Sequence, residues 1–187
     1  MSDYKPSPSI TTRKPPTAGQ AGAGFSGMET LDIRISDLNN EVVTTILIDI
    51  TGLADSGTVK DIIGDNGEAA AYFLRTTLST TGLIYKVEMA CLETPAGSNC
   101  ALDIDFVSNT ASLAEDAAYD SGTAMSVLAP GGNWATGVRM ETATSVNAGQ
   151  VTGDYLYLAN GTGANSGGTY TGGKFLIKLY GVNSSFL

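Results

Sequence analysis

Strict alternation of apolar and polar residues runs through most of the chain after residue 30 and limits its fold more than any other feature. Leu31, Ile33 and Ile35 alternate with polar residues, and a β-branched run follows at 41–51. A period of two predicts strands with one buried face. Further strands are expected at 58–64, 69–77, 136–142, 154–159 and 174–182. With no long helix, these strands favour an all-β fold, an antiparallel β-sandwich that is jelly-roll-like.

Two segments fit this pattern less well. The alanines within 69–77 would also suit a helix, although the flanking turn residues favour a strand. The segment 113–119 is consistent with one helical turn or with an irregular surface loop. Neither ambiguity changes the predicted fold class.

Residues 83–107 predict a hairpin, because one register satisfies both of its faces. A turn at Pro95 and Ala96 would bring Cys91 opposite Cys100 and continue as apolar pairs along both strands. The same register would gather four charged residues on the opposite face, namely Lys86, Glu88, Asp103 and Asp105.

The two cysteines have two interpretations. A disulfide between Cys91 and Cys100 would close a short loop and stabilise the fold by about 3 kcal/mol in the chain-entropy view. Alternatively, both are small apolar residues that face the core as free thiols. The second interpretation is favoured by the cytoplasmic synthesis that we expect for this chain.

The first 28 residues differ in composition from everything after them. They hold four of the six prolines and a Gly/Ala run, and they carry a net charge of +2 against −11 for the remainder. Such a segment cannot build a core. We therefore predict an extended arm at 1–28, ordered on a partner, and a sandwich body at 29–187. The predicted partner-binding residues are Lys5, Pro6, Pro8, Arg13, Lys14, Pro15, Pro16 and Phe25.

Several classes of function lack their sequence signals. There is no histidine and no phosphate-binding glycine motif, and two cysteines alone do not make a zinc site. We expect no enzyme, no cofactor and no small-molecule substrate. The acidic balance argues against nucleic acid, and no apolar run is long enough to span a membrane. Calcium binding by Glu88, Asp103 and Asp105 is a weaker interpretation than an ordinary solvated strand face.

Aromatic residues suggest one candidate surface outside the arm. Tyr155 and Tyr157 alternate with leucines, and Trp134 follows a Pro-Gly-Gly turn. A subunit interface would explain these residues, and so would a sugar-stacking platform. The candidate residues for this interface or glycan surface are Trp134, Tyr155, Tyr157 and Tyr170.

Six segments in order resemble small virion proteins of tailed phages of marine bacteria and cyanobacteria: 42–53, 61–64, 67–73, 91–98, 155–161 and 173–181. The resemblance implies a virion structural protein, most specifically a capsid decoration (cement) protein at the capsid surface. It implies the major capsid protein as partner, together with self-association, expected as a trimer. An alternative is a receptor- or glycan-binding module of a phage fibre or tail. No functional residue is transferred by this resemblance.

Overall fold

A computed structural model describes residues 21–36, 40–120, 124–142, 153–161 and 166–182, and it confirms the predicted all-β antiparallel sandwich. The described residues form no helix, and so they include no helix that could cross a membrane. The strands are β1 Met28–Ile35, β2 Glu41–Asp49, β3 Ala54–Asp55, β4 Leu74–Arg75, β5 Leu83–Gly97, β6 Ile104–Asn109, β7 Ala124–Leu128, β8 Arg139–Glu141, β9 Tyr155–Asn160 and β10 Gly168–Val182.

The strands form two antiparallel sheets. The six-stranded sheet has the order β1-β2-β10-β5-β8, and β3 pairs with the start of β10. The four-stranded sheet has the order β4-β9-β6-β7. β10 lies at the centre of the larger sheet, hydrogen-bonded along its length to β2 and β5.

The main core lies between the two sheets and follows from the alternation in sequence. Along β2, Val42, Thr44, Ile46 and Ile48 are fully buried, whereas the residues that alternate with them are partly exposed. The inner faces of the other long strands contribute in the same way. Burial of this apolar surface, at about 25 cal/mol per Å², is the main stabilising term.

A second apolar layer covers the outer face of the four-stranded sheet. Here Ile62 and Ala71, from the chain between β3 and β4, pack on Tyr157 and Ala159 of β9. The Tyr157 hydroxyl donates to the Ala111 carbonyl at 2.8 Å and accepts from the Leu113 amide at 2.9 Å. The four-stranded sheet is therefore buried on both faces, and β6 has no exposed residue.

The predicted hairpin at 83–107 is wrong. β5 pairs with β10 and β8, while β6 pairs with β7 and β9, so the two strands lie in different sheets. β5 continues through Pro95, and Asn99 adopts the left-handed conformation, with φ 66°, between the strands. Alternation specifies which face of a strand is buried but not which strand pairs with it.

Three further predictions need correction in detail. Residues 58–64 form isolated bridges, such as Ile62 with Ala159, instead of a strand. Only Leu74–Arg75 of 69–77 is a strand, and Ala70 has a φ of 59°, which neither a strand nor a right-handed helix permits. Residues 113–119 form an irregular loop.

Candidate interaction surface

The outer face of the six-stranded sheet is exposed over the part of the chain that the structure describes. Its outward positions alternate with core positions and are mostly half-exposed. We call this surface the open face and define it by the residues Asp32, Arg34, Val43, Thr45, Leu47, Lys86, Glu88, Ala90, Arg139, Glu141, Lys174, Leu176, Lys178 and Tyr180.

Strand register arranges the open face in rows across β2, β10 and β5. Leu176 lies opposite Leu47 on one side and Ala90 on the other, which gives an apolar row. Next to it, Lys178 lies between Thr45 and Glu88 in a polar row. A third row places Tyr180 between Val43 and Lys86. Apolar side chains therefore occupy the middle of the face.

Ion pairs hold the side chains at the β5–β8 end of the open face. Lys86 Nζ lies 2.8 Å from Glu88 Oε1 and 2.8 Å from Glu141 Oε2, and Arg139 Nη2 lies 2.7 Å from Glu88 Oε2. Burial opposes ionisation of Glu88, but hydrogen bonds from Lys86 and Arg139 outweigh burial and lower its pKa. Hydrogen bonds to Glu141 and Glu88 raise the pKa of Lys86. Lys86 is therefore protonated and Glu88 is ionised at neutral pH.

The other end of the face has a matching pair. Lys174 Nζ lies 2.8 Å from Asp49 Oδ2 and 3.4 Å from Glu29 Oε1. Burial raises the pKa of Asp49 less than the hydrogen bonds from Lys174 and Thr51 lower it. The Lys174 ammonium group is therefore compensated by carboxylates of its own chain.

A shallow depression of about 230 Å³ lies in the middle of the face, lined by Glu88, Ala90, Arg139, Leu176, Lys178 and Tyr180. Lys178 has no ion pair with any described residue. The depression therefore combines an apolar floor, an aromatic ring and an ammonium group that an external carboxylate could reach.

Charge is distributed unevenly over the body. Five of the seven basic residues after residue 28 lie on the open face, together with three acidic residues, Asp32, Glu88 and Glu141. The rest of the described body has fourteen acidic residues and only two basic ones, Lys60 and Arg75. The open face therefore has a small positive net charge, and the remaining surface is strongly acidic.

Phe25 is not an arm residue that contacts a partner; this prediction is wrong. Its ring is 3% exposed and lies 5.9 Å from that of Phe73 in the core. Gly22 N donates to the Tyr72 carbonyl at 2.8 Å, and a Cβ at Gly22 would overlap the Ala70 carbonyl oxygen. The other predicted arm residues lie outside the described residues: Lys5, Pro6, Pro8, Arg13, Lys14, Pro15 and Pro16.

Three of the four predicted aromatic surface residues are buried, which corrects that prediction. Trp134, Tyr157 and Tyr170 are at most 2% exposed. Each polar group is satisfied inside the fold; the Tyr170 hydroxyl, for example, lies 2.9 Å from Asp55 Oδ2. Only Tyr155 is partly exposed, with its ring 4.7 Å from that of Tyr72. These residues therefore cannot form a shared glycan platform.

Both cysteines are buried free thiols, in agreement with the favoured interpretation. Cys91 Sγ donates to the Glu93 carbonyl at 3.2 Å, and burial raises the pKa of Cys100 to about 11. The predicted approach of Glu88 to Asp103 and Asp105 is wrong, because Glu88 lies in β5 whereas Asp105 lies in β6 of the other sheet and Asp103 directly precedes β6. Among the described residues, no group of three or more acidic or cysteine side chains could hold a metal ion.

Sequence reasoning missed the open face. Its residues occupy the outward positions of strands that alternation predicts, but alternation does not predict the pairing of β10 with β2 and β5. The available signal was that most basic residues of the body occur in strand segments. The chain matches no family model, no curated protein and no solved structure.

Proposed function

We propose that this protein is a virion structural component, specifically a capsid decoration protein that stabilises the head by bridging subunits of the major capsid protein. The observation that carries this proposal is the firm attachment of the chain just after residue 20 to a compact body. A bridging segment must be fixed at its base if it is to resist separation of the subunits that it joins.

Backbone and side-chain bonds on both sides of Phe25 provide this attachment. Asp65 N donates to the Gly24 carbonyl at 2.8 Å, and Asp49 N donates to the Gly27 carbonyl at 2.8 Å. Ser26 Oγ donates to Asp65 Oδ1 at 2.6 Å. Together with the buried ring of Phe25, these bonds join residues 22–27 to β2 of the six-stranded sheet and to the chain between β3 and β4.

The reach of the preceding chain also supports bridging. Twenty residues span at most about 66–72 Å when fully extended, whereas a body of this size has a radius of gyration of about 15 Å. Residues 1–20 are therefore long enough to pass beyond their own body. Their excess of Lys and Arg suits an acidic or acceptor-rich protein surface.

A capsid-loading experiment tests the proposal. Deletion must stop at residue 20, because Phe25 belongs to the core. We expect the truncated chain to stay folded, by circular dichroism and urea unfolding, but to lose binding to capsids assembled from the capsid protein of the same genome. A matched variant with Lys5, Arg13 and Lys14 changed to alanine separates charge from length. Equal loading of the truncated and full-length chains would contradict the proposal.

The alternative function, a fibre or tail module that binds a receptor or glycan, rested on the four aromatic residues. Burial of Trp134, Tyr157 and Tyr170 removes most of that support. A glycan array with the full-length chain separates the two functions, since a decoration protein should bind capsids and no glycan.

A further inference from the structure

We propose that the open face is a self-association surface, through which two copies of this chain pack face to face about a two-fold axis. The inference goes beyond the proposed function: it assigns a surface to the self-association that the sequence resemblance implies, and it expects a dimer in place of the trimer. It is tested with purified protein in the absence of capsids. Self-association can therefore fail while capsid loading succeeds, and capsid loading can fail while self-association succeeds.

The two sheets of the body are covered unequally. The four-stranded sheet is packed on both faces, whereas no described element packs on the open face. Leu47, Leu176 and Tyr180 remain half-exposed there, and Tyr85 beside them is 40% exposed. A contiguous apolar patch with a polar surround is the usual anatomy of a protein interface.

Charge identifies a second copy as a suitable occupant. The acidic remainder of the body would repel the same surface on another copy. On the open face, by contrast, Lys86, Arg139 and Lys174 are already compensated by carboxylates of their own chain. This is the described surface on which two copies can meet without a large electrostatic cost.

The size of the face is also adequate. Fourteen outward positions, with strands about 4.8 Å apart and outward positions about 6.8 Å apart along a strand, cover about 460 Å² per copy. Two copies would bury about 900 Å² in total, which is the size of a weak, transient interface.

The rows of the open face are self-complementary about one axis. A two-fold axis that runs parallel to the strands, between β10 and β5, would place β10 of each copy opposite β5 of the other copy. Lys178 would then face Glu88 of the partner subunit, and Tyr180 would face the partner's Lys86. Leu176 would face the partner's Ala90. These positions lie close to the axis. Packed sheets cross at about 30°, and this rotation displaces residues near the centre of the interface less than residues at its edges.

Sedimentation equilibrium of the full-length chain, from low micromolar to several hundred micromolar, tests the inference. The expected species has twice the 19.2 kDa mass of one chain. Leu176→Glu and Lys178→Glu should each weaken association at least about tenfold, which corresponds to about 1.4 kcal/mol. Leu78→Glu is the matched control, because Leu78 is also exposed, at 37%, but lies outside the open face.

Urea unfolding verifies that each variant is folded, and if one variant fails to fold the other decides. A wild-type monomer over the whole range would overturn the inference, as would the trimer implied by the sequence resemblance. Association that Leu176→Glu and Lys178→Glu leave unchanged, or that Leu78→Glu weakens equally, would also overturn it.

Discussion

Trp134 donates a hydrogen bond from its indole Nε1 to the backbone carbonyl of Ile104 at 2.7 Å, and this bond ties the loop before β8 to the four-stranded sheet. The same ring packs edge-on against Phe175 of β10, with centroids 5.5 Å apart. Trp134 therefore contacts both sheets, and its role in the body is to join them.

Substitution of Trp134 should destabilise the body. We expect Trp134→Ala to lower the free energy of unfolding by about 3–5 kcal/mol through lost packing. Trp134→Phe should cost about 1–3 kcal/mol, because it leaves the Ile104 carbonyl without its donor. Urea unfolding measures both changes. Tyr85→Phe is the aromatic control and should change stability little, since Tyr85 is 40% exposed; equal losses in all three variants would contradict the assigned role.

Phe25 provides a second prediction, which separates the base of the N-terminal segment from residues 1–20. Phe25→Ala should lower the free energy of unfolding by about 3–5 kcal/mol, because the ring fills the core beside Phe73. Deletion of residues 1–20 should leave the unfolding midpoint nearly unchanged. Both are measured by urea denaturation, with Phe25→Leu as an intermediate control. A tolerated Phe25→Ala would mean that the ring does not belong to the core.

The fold class could be predicted from sequence because alternation is a local property. β1, β2, β9 and β10 were found in this way, and each has one face in the core. Strand pairing is not local. The apolar register between Cys91 and Cys100 was internally consistent, yet β10, more than 70 residues away in sequence, pairs with β5 instead. Nothing in the alternation of two neighbouring strands excludes a third strand between or beside them.

The candidate site was harder to predict for a related reason. The sequence predicts a surface position for Tyr157 because it alternates with leucines, and for Trp134 because it follows a Pro-Gly-Gly turn. Loops at 56–72 and 110–119 cover the four-stranded sheet, however, and they bury Tyr157. These loops have no strong periodicity, so their packing depends on contacts such as Ile62 with Ala159 that form only in the folded chain.

The cysteines lead to a third prediction, on thiol accessibility. Both thiols are buried, and burial raises the pKa of each. Since the thiolate is the reactive species, we expect negligible reaction with a thiol reagent such as DTNB in the native state at neutral pH. Two thiols should react after denaturation without reductant. Fewer than two, with recovery on adding reductant, would instead demonstrate a disulfide between Cys91 and Cys100.

The last prediction concerns two buried carboxyl groups outside the open face, those of Asp105 and Glu115. Their burial should make the stability of the protein fall as the pH rises. Burial, reinforced by the charge of Asp103, raises the pKa of Asp105 to about 6, and burial with a hydrogen bond involving Asp116 raises that of Glu115 to about 7. In the unfolded chain both would titrate near their ordinary values, 3.8 and 4.5. Between about pH 4 and pH 7 the native state thus binds more protons, so its stability falls with rising pH.

Asp105→Asn tests this dependence, because it removes the ionisable group while keeping its shape. Above pH 7 the variant should be more stable than the wild type by up to about 3 kcal/mol, and its slope of stability against pH should be shallower. Asp49→Asn is the opposite control, since the pKa of Asp49 is lowered and its charged form is stabilised by Lys174. It should destabilise the protein at neutral pH. Urea unfolding at a series of pH values gives both slopes, and an Asp105→Asn slope equal to the wild type would contradict the role of this buried carboxyl group.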